Sequence, residues 1–158
     1  MNKPLRTRSA KAATIPTRVA THRSRRILVI DDDKGIRQLS AEVLVRHGYL
    51  VDAAEDNTAG WKTLQTNSYD LLITDLDMPE MSGLRLVKKL RAARMALPVI
   101  LVLGTLTQLE LSRNPWLQLS GVLLKPFSPD QLLEAVQSVL HVKNPGPNAG
   151  NANLASRG

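Results

Sequence analysis

Between residues 26 and 143, short apolar runs rich in β-branched residues alternate with stretches whose apolar residues recur at helical spacing. That alternation constrains the fold more than any other feature. "RILVI", "YLVDAA", "YDLLITD", "LPVILVL" and the start of "GVLLKPF" read as five strands. "GIRQLSAEVLVRHG" places apolar residues at 36, 39, 43 and 44 and ends at Gly48, so it reads as a helix. "NTAGWKTLQTN" is a second helix, with Asn57 or Thr58 as its expected cap. "LRLVKKLRAAR" is a basic amphipathic helix after Ser82. "SPDQLLEAVQSVLHV" has Ser128 at its cap, Pro129 at its first helical position, and Leu132, Leu133, Val136 and Leu140 along one face. The strands are nearly continuous apolar runs, as expected when both faces of a sheet are covered. The pattern predicts an α/β fold, a doubly wound five-stranded parallel sheet with helices on both faces.

In such a sheet, sites form outside the carboxyl ends of the strands. Asp31, Asp32 and Asp33 follow the first strand, Asp75 ends the third, and Lys125 ends the fifth. Parallel strands bring all these ends to one edge. Three or four carboxylates and one ammonium then converge, and like charges that close repel unless a cation lies among them. Carboxylate, carbonyl and water oxygens suit a hard divalent cation, so Mg²⁺ is the expected cofactor.

Composition narrows the classes. There is no cysteine, which excludes a disulfide framework, a Cys-based metal site and a thiol nucleophile. No run of 18 apolar residues is present, so no membrane span is expected. The amino terminus lacks the apolar stretch of a secretory signal, and a cytoplasmic location is expected. The net charge of +7 is unevenly placed. Residues 1–26 carry eight basic groups and no acid, whereas residues 27–143 carry 12 Lys and Arg against all 14 acids, a net of −2. Residues 1–25 therefore read as a basic disordered tail. A solvated tail without a specific partner is the plain reading. Charge-driven binding to nucleic acid or anionic lipid, and an organellar targeting leader, are the alternatives. Residues 144–158, rich in Asn, Gly and Pro, read as a flexible carboxyl-terminal tail.

The motifs "ILVIDDD" followed by Arg37, "YDLLITDLDMPEMSGL" and "GVLLKPF", in this order and spacing, resemble the receiver domains of two-component response regulators. The resemblance covers roughly residues 26–143 and implies a flavodoxin-like strand order of 2-1-3-4-5. It implies that Asp75 is the phosphoacceptor and that Asp31 and Asp32 are the metal-binding acid pair. Asp32 and Asp75 then touch Mg²⁺ directly, Asp31 acts mainly through water, and the backbone carbonyl of Asp77 completes the protein ligands. Lys125 contacts the incoming phosphoryl group, and its bond to Pro126 is often cis in the family. The implied donor is a phosphohistidine on a sensor histidine kinase or phosphotransfer protein, and the output is a downstream protein target. The chain is then no enzyme acting on other substrates; it catalyses only its own phosphorylation and dephosphorylation. None of His22, His47 and His141 is placed like a donor, and all three read as surface residues.

The sequence departs from the family pattern in the readout half. A Ser or Thr at the end of strand four normally binds the phosphoryl oxygen; here Leu103 stands there, followed by Gly104. Leucine donates no hydrogen bond. Thr105, about 6.6 Å further along an extended strand, substitutes only if the backbone bulges. The second switch position, often Tyr or Phe, is Val122. Phe127 reads as core. The segment "GTLTQLELSRNPWLQLSG" contains Pro115, which breaks a helix or opens a new short turn. Trp116 reads as core rather than as a partner contact.

The leading expectation is a stand-alone receiver in a phosphorelay. The main alternative is a receiver-like interaction module that works without phosphorylation. A nucleic-acid-binding arm at residues 1–25 and a metal-dependent phosphatase follow behind.

Overall fold

The computed structural model describes residues 23–104 and 111–141. Among the described residues, the complete elements are β1 (Arg26–Ile30), α1 (Lys34–Arg46), β2 (Leu50–Ala54), α2 (Asn57–Thr66), β3 (Leu71–Asp75), α3 (Gly83–Ala92), β4 (Val99–Leu103), β5 (Gly121–Leu124) and α4 (Pro129–Leu140). The strands form one sheet of order β2-β1-β3-β4-β5. Every pairing is parallel. The expected doubly wound sheet and its order are therefore observed. The tails beyond residues 23 and 141, and the readings attached to them, lie outside the described residues, as do Thr105 and His22.

Alternate residues of the strands face opposite sides, and each side has its own helices. Ile27, Val29, Ile73, Ile100 and Val102 pack with Leu44 of α1 and with Leu132 and Val136 of α4. Leu28, Ile30, Leu72 and Val99 pack on the other side with Leu64 of α2 and with Leu86, Val87 and Leu90 of α3. β3 and β4 are buried along their whole length. Each large aliphatic side chain so removed from water contributes roughly 1.5–3 kcal/mol. The edge strands leave Leu50, Val122 and Leu124 exposed.

Short polar side chains start each helix by accepting bonds from otherwise unpaired amides. Asp33 caps α1, Ser82 caps α3, and Ser128 caps α4 with Gln131 completing a capping box. At α2 the cap is Asp56, which accepts from the Ala59 amide at 2.7 Å. Asn57 or Thr58 was the expected cap; the structure moves it one residue earlier because Asn57 is drawn inward and buried.

After β4, residues 105–110 lie outside the described residues; Leu111 and Ser112 are helical, and the chain then enters a 3-10 turn at Pro115–Leu117. Pro115 occupies the first position of that turn, where its missing amide costs nothing. Leu117 fills the core, whereas Trp116 is 46% exposed. The expectation that Trp116 is buried is thus corrected: the proline turn sends its neighbour Leu117 inward instead. Phe127 is partly buried against the α1/α4 side of the core. His47 and His141 are both exposed, and His141 Nε2 meets the Tyr49 hydroxyl at 2.9 Å.

Candidate functional site

The strand register decides which side chains meet. Ile30 pairs with Thr74, Asp75 with Val102, and Leu103 with Leu124. Asp31, Asp75 and Lys125 therefore leave the sheet at the same level. Carboxylate oxygens of Asp31, Asp32 and Asp75 all lie within 4.8 Å of one another. They open on a cleft of about 380 Å³ lined by Asp32, Asp33, Ile36, Asp75, Asp77, Gly104 and Lys125.

Each group is held by its neighbours. Asp31 is buried, its Oδ1 accepts from the Asp33 amide at 2.9 Å, and its carbonyl accepts from Arg37 Nη1 at 2.7 Å. Asp33, at the rim of the cleft, caps α1, its Oδ1 accepting from the Ile36 amide at 3.0 Å. Asp75 is buried, and its Oδ1 accepts from the Asp77 amide at 2.9 Å. Lys125 Nζ donates to Asp75 Oδ2 and lies 3.2 Å from Asp31 Oδ2. The Lys125–Pro126 peptide bond is cis. Asp32 is exposed and faces the cleft.

Two glycines let backbone approach this centre. A Cβ on Gly83 would lie 2.5 Å from the Asp75 carbonyl oxygen, so only glycine lets α3 begin against the strand end. A Cβ on Gly104 would lie 3.3 Å from Asp77 Oδ2, narrowing the mouth of the cleft.

Burial pushes the Asp31 carboxyl above its usual range, and the bond from the Asp33 amide and the nearby Lys125 charge only partly oppose it. For Lys125, burial favours the neutral amine, but the hydrogen bond and charge of Asp75 and the charge of Asp31 outweigh it and leave the pKa raised. The ammonium therefore stays charged, one cation set among three acidic side chains that offer hard oxygen donors. That donor set fits a divalent cation of the Mg²⁺ type, with Asp31, Asp32, Asp75 and the Asp77 carbonyl as the residues to hold it.

The sequence-predicted residues Asp31, Asp32, Asp75, Asp77 and Lys125 are thus gathered at one cleft. The switch positions are not. Leu103 is fully buried against Leu76 and Leu101, and its carbonyl accepts from the Lys125 amide at 2.7 Å. Val122 is 42% exposed on the edge strand. No hydroxyl side chain lines the cleft among the described residues. One feature escapes sequence reading altogether. Buried Asn57 accepts from Thr74 Oγ1 at 2.8 Å and donates to the Met81 carbonyl at 2.7 Å. It ties the residue before Asp75 to the loop that follows it. Nothing in local sequence marks an asparagine next to a cap as a buried bridge.

Comparison with known proteins agrees with this geometry. Residues 27–137 match the family described as the response regulator receiver domain. Chemotaxis protein CheY1 of Helicobacter pylori is 35% identical over 73% of this chain and 96% of its own. The transcriptional regulatory proteins RprY of Bacteroides fragilis and CusR of Escherichia coli are 30% and 31% identical, each over 73% of this chain. The chain spans about half the length of those two regulators, 49% and 51%. The solved structure of chemotaxis response regulator CheY4 of Vibrio cholerae superposes with a TM-score of 0.68 at 32% identity, covering 74% of this chain and 99% of that one. The chain belongs to the response regulator receiver domain family, of the CheY type, and its class is that of two-component signalling. Among the described residues, no helix is long and apolar enough to cross a membrane.

Proposed function

We propose that Asp75 accepts a phosphoryl group from a phosphohistidine of a sensor kinase or phosphotransfer protein. The observation that carries this reading is the polarised carboxylate of Asp75: Oδ1 receives the Asp77 amide and Oδ2 receives Lys125, beside two further acids. A carboxylate oxygen of Asp75 attacks phosphorus, the phosphorus–nitrogen bond to the donor imidazole breaks, and the imidazole keeps the electron pair. Lys125 offsets the repulsion between the incoming phosphoryl oxygens and the acids. Asp31, Asp32 and Asp75 with the Asp77 carbonyl would hold Mg²⁺, which would supply charge neutralisation at the phosphoryl oxygens. The cleft serves only this self-phosphorylation and the later hydrolysis of the acyl phosphate, in which water takes the phosphoryl group and Asp75 returns to a free carboxylate, not turnover of other substrates. The product signals through a protein partner in the relay.

A second reading has one observation in its favour. Buried Leu103 leaves the strand end without a hydroxyl, which favours a module that binds its partner without phosphorylation. A ligand shifts a conformational equilibrium only by contacting two states differently, and Leu103 offers no hydroxyl for such a contact. The deciding experiment is intact-mass analysis after incubation with a small-molecule phosphodonor, with and without Mg²⁺, beside Asp75→Ala. A Mg²⁺-dependent gain of one phosphoryl group, absent in the variant, is expected. No gain with Mg²⁺ bound favours the second reading.

A further inference from the structure

We infer that the outward face of α3, flanked by the chain's two tryptophans, is a docking surface for an acidic segment of a partner protein. Arg85, Lys88, Lys89 and Arg94 are all exposed on or just beyond this helix. Neither α3 nor its neighbour α2 contains an Asp or Glu. Among the described residues none of these four side chains is in an ion pair. Arg91, by contrast, is committed to the fold, donating to the carbonyls of Met95, Leu97, Leu117 and Gln118.

The tryptophans lie one on each side of the helix. Lys88 Nζ is 5.6 Å from the ring centroid of Trp116, and Lys89 Nζ is 5.4 Å from that of Trp61. Both lysines are thus held in place by a cation–π contact. A carboxylate arriving at such a lysine loses little side-chain entropy. The ring edges remain for apolar side chains, and tryptophan and arginine recur in binding hot spots.

Charge selects among occupants. The chain's own amino-terminal tail is basic and is repelled. A second copy meeting face to face opposes like charges. A bilayer needs a broad apolar face, yet Trp116 is the one large exposed hydrophobic side chain on this surface among the described residues. A nucleic-acid base stacks on an open ring face, and here each indole already has a lysine over it.

This face also adjoins the phosphoacceptor. Gly83, the first residue of α3, packs on the Asp75 carbonyl, and its amide donates to the Leu76 carbonyl at 3.1 Å. The inference deepens the proposed function by naming the partner's chemistry, and it rests on that reading only for its signalling role.

The full chain, labelled with ¹⁵N, is titrated with a short peptide of alternating Glu and Leu, and separately with an oligothymidylate of equal charge, at physiological salt. The indole N–H signals of Trp61 and Trp116 and the α3 amides are expected to move with the peptide. Lys88→Glu and Lys89→Glu are each expected to weaken peptide binding about tenfold, and Arg46→Glu on exposed α1 less than about twofold. Shifts confined to other surfaces, equal losses in all three variants, or tighter binding of the oligothymidylate would each overturn the inference. Intact mass after phosphodonor treatment of the same samples separates the two claims. Normal Asp75 labelling without α3 docking sinks this inference alone; docking without labelling sinks the phosphorylation reading alone.

Discussion

At the amino-terminal end of the sheet Asp52 and Asp70 each face their own arginine; at the carboxyl-terminal end Asp31 and Asp75 share one lysine, with Asp32 beside them. Arg26 donates from Nε and Nη2 to Asp52 Oδ2 at 3.0 and 2.6 Å, and Tyr69 adds its hydroxyl at 2.6 Å. Asp70 accepts from the Arg26 amide at 2.8 Å and lies 3.5 Å from Arg25. Among the described residues, Lys125 is the one cation ion-paired with Asp31 and Asp75, and Asp32 beside them is in no ion pair. The first arrangement is locally neutral and needs no ligand. The second keeps an excess of negative charge in a cleft, an arrangement that folding alone does not favour. The difference teaches where to look for function: at the end whose charges are not balanced by the protein itself.

The comparison breaks most visibly at Lys125. Lys125→Met leaves buried Asp31 and Asp75 without a cation and is expected to cost about 3 kcal/mol in urea unfolding without divalent ions. Arg26→Met at the opposite end exposes a pair that is already 36% and 41% exposed, and about 1 kcal/mol is expected there. Equal losses from the two variants would mean that the ends do not differ in burial of charge.

Mg²⁺ sharpens the contrast next. At about a hundred times its dissociation constant, the ion is expected to stabilise the wild type by about 2.7 kcal/mol, read as a rise in melting temperature. Asp32→Asn removes an exposed carboxylate, so its own stability is expected to change within about 0.5 kcal/mol. Most of the Mg²⁺-dependent rise is expected to vanish with it. Asp52→Asn is expected to keep the whole rise, since Asp52 is remote from the cleft. A full rise in Asp32→Asn would remove Asp32 from the ligand set.

The sequence made the fold and the acidic cleft legible for the same reason. Apolar runs such as "RILVI" and "LPVILVL" fix both the strands and where they end, and a parallel sheet aligns those ends. Asp31, Asp75 and Lys125 could therefore be placed together from chain order alone. What lay beyond reach depends on side-chain direction. Asn57 bridging Thr74 and Met81, and Asp56 taking over the cap, turn on a single backbone residue. Trp116 and Leu117 are adjacent, and only the geometry of the proline turn decides which of them is buried. The Lys88–Trp116 and Lys89–Trp61 contacts join separate elements, with no local pattern to announce them.

The smallest effects concern pH and belong to the balanced end. The Tyr69 hydrogen bond, opposed by partial burial and joined by Arg26, holds the Asp52 carboxyl below its usual value. A depressed carboxylate contributes stability that is present above its unfolded pKa, near 3.8, and is lost as pH falls through the folded value. Tyr69 is pushed up to about 12 by burial and by its bond to Asp52. A raised phenol contributes stability present below its unfolded pKa of 10.0 and lost as pH rises toward 12. Between these limits the Arg26–Asp52–Tyr69 cluster adds no pH dependence. Tyr69→Phe is expected to cost about 1 kcal/mol at neutral pH. It is also expected to flatten the alkaline limb of the unfolding free energy and to return Asp52 toward its usual pKa in an NMR titration. An unchanged Asp52 titration would show that Arg26, and not the phenol, holds that carboxylate.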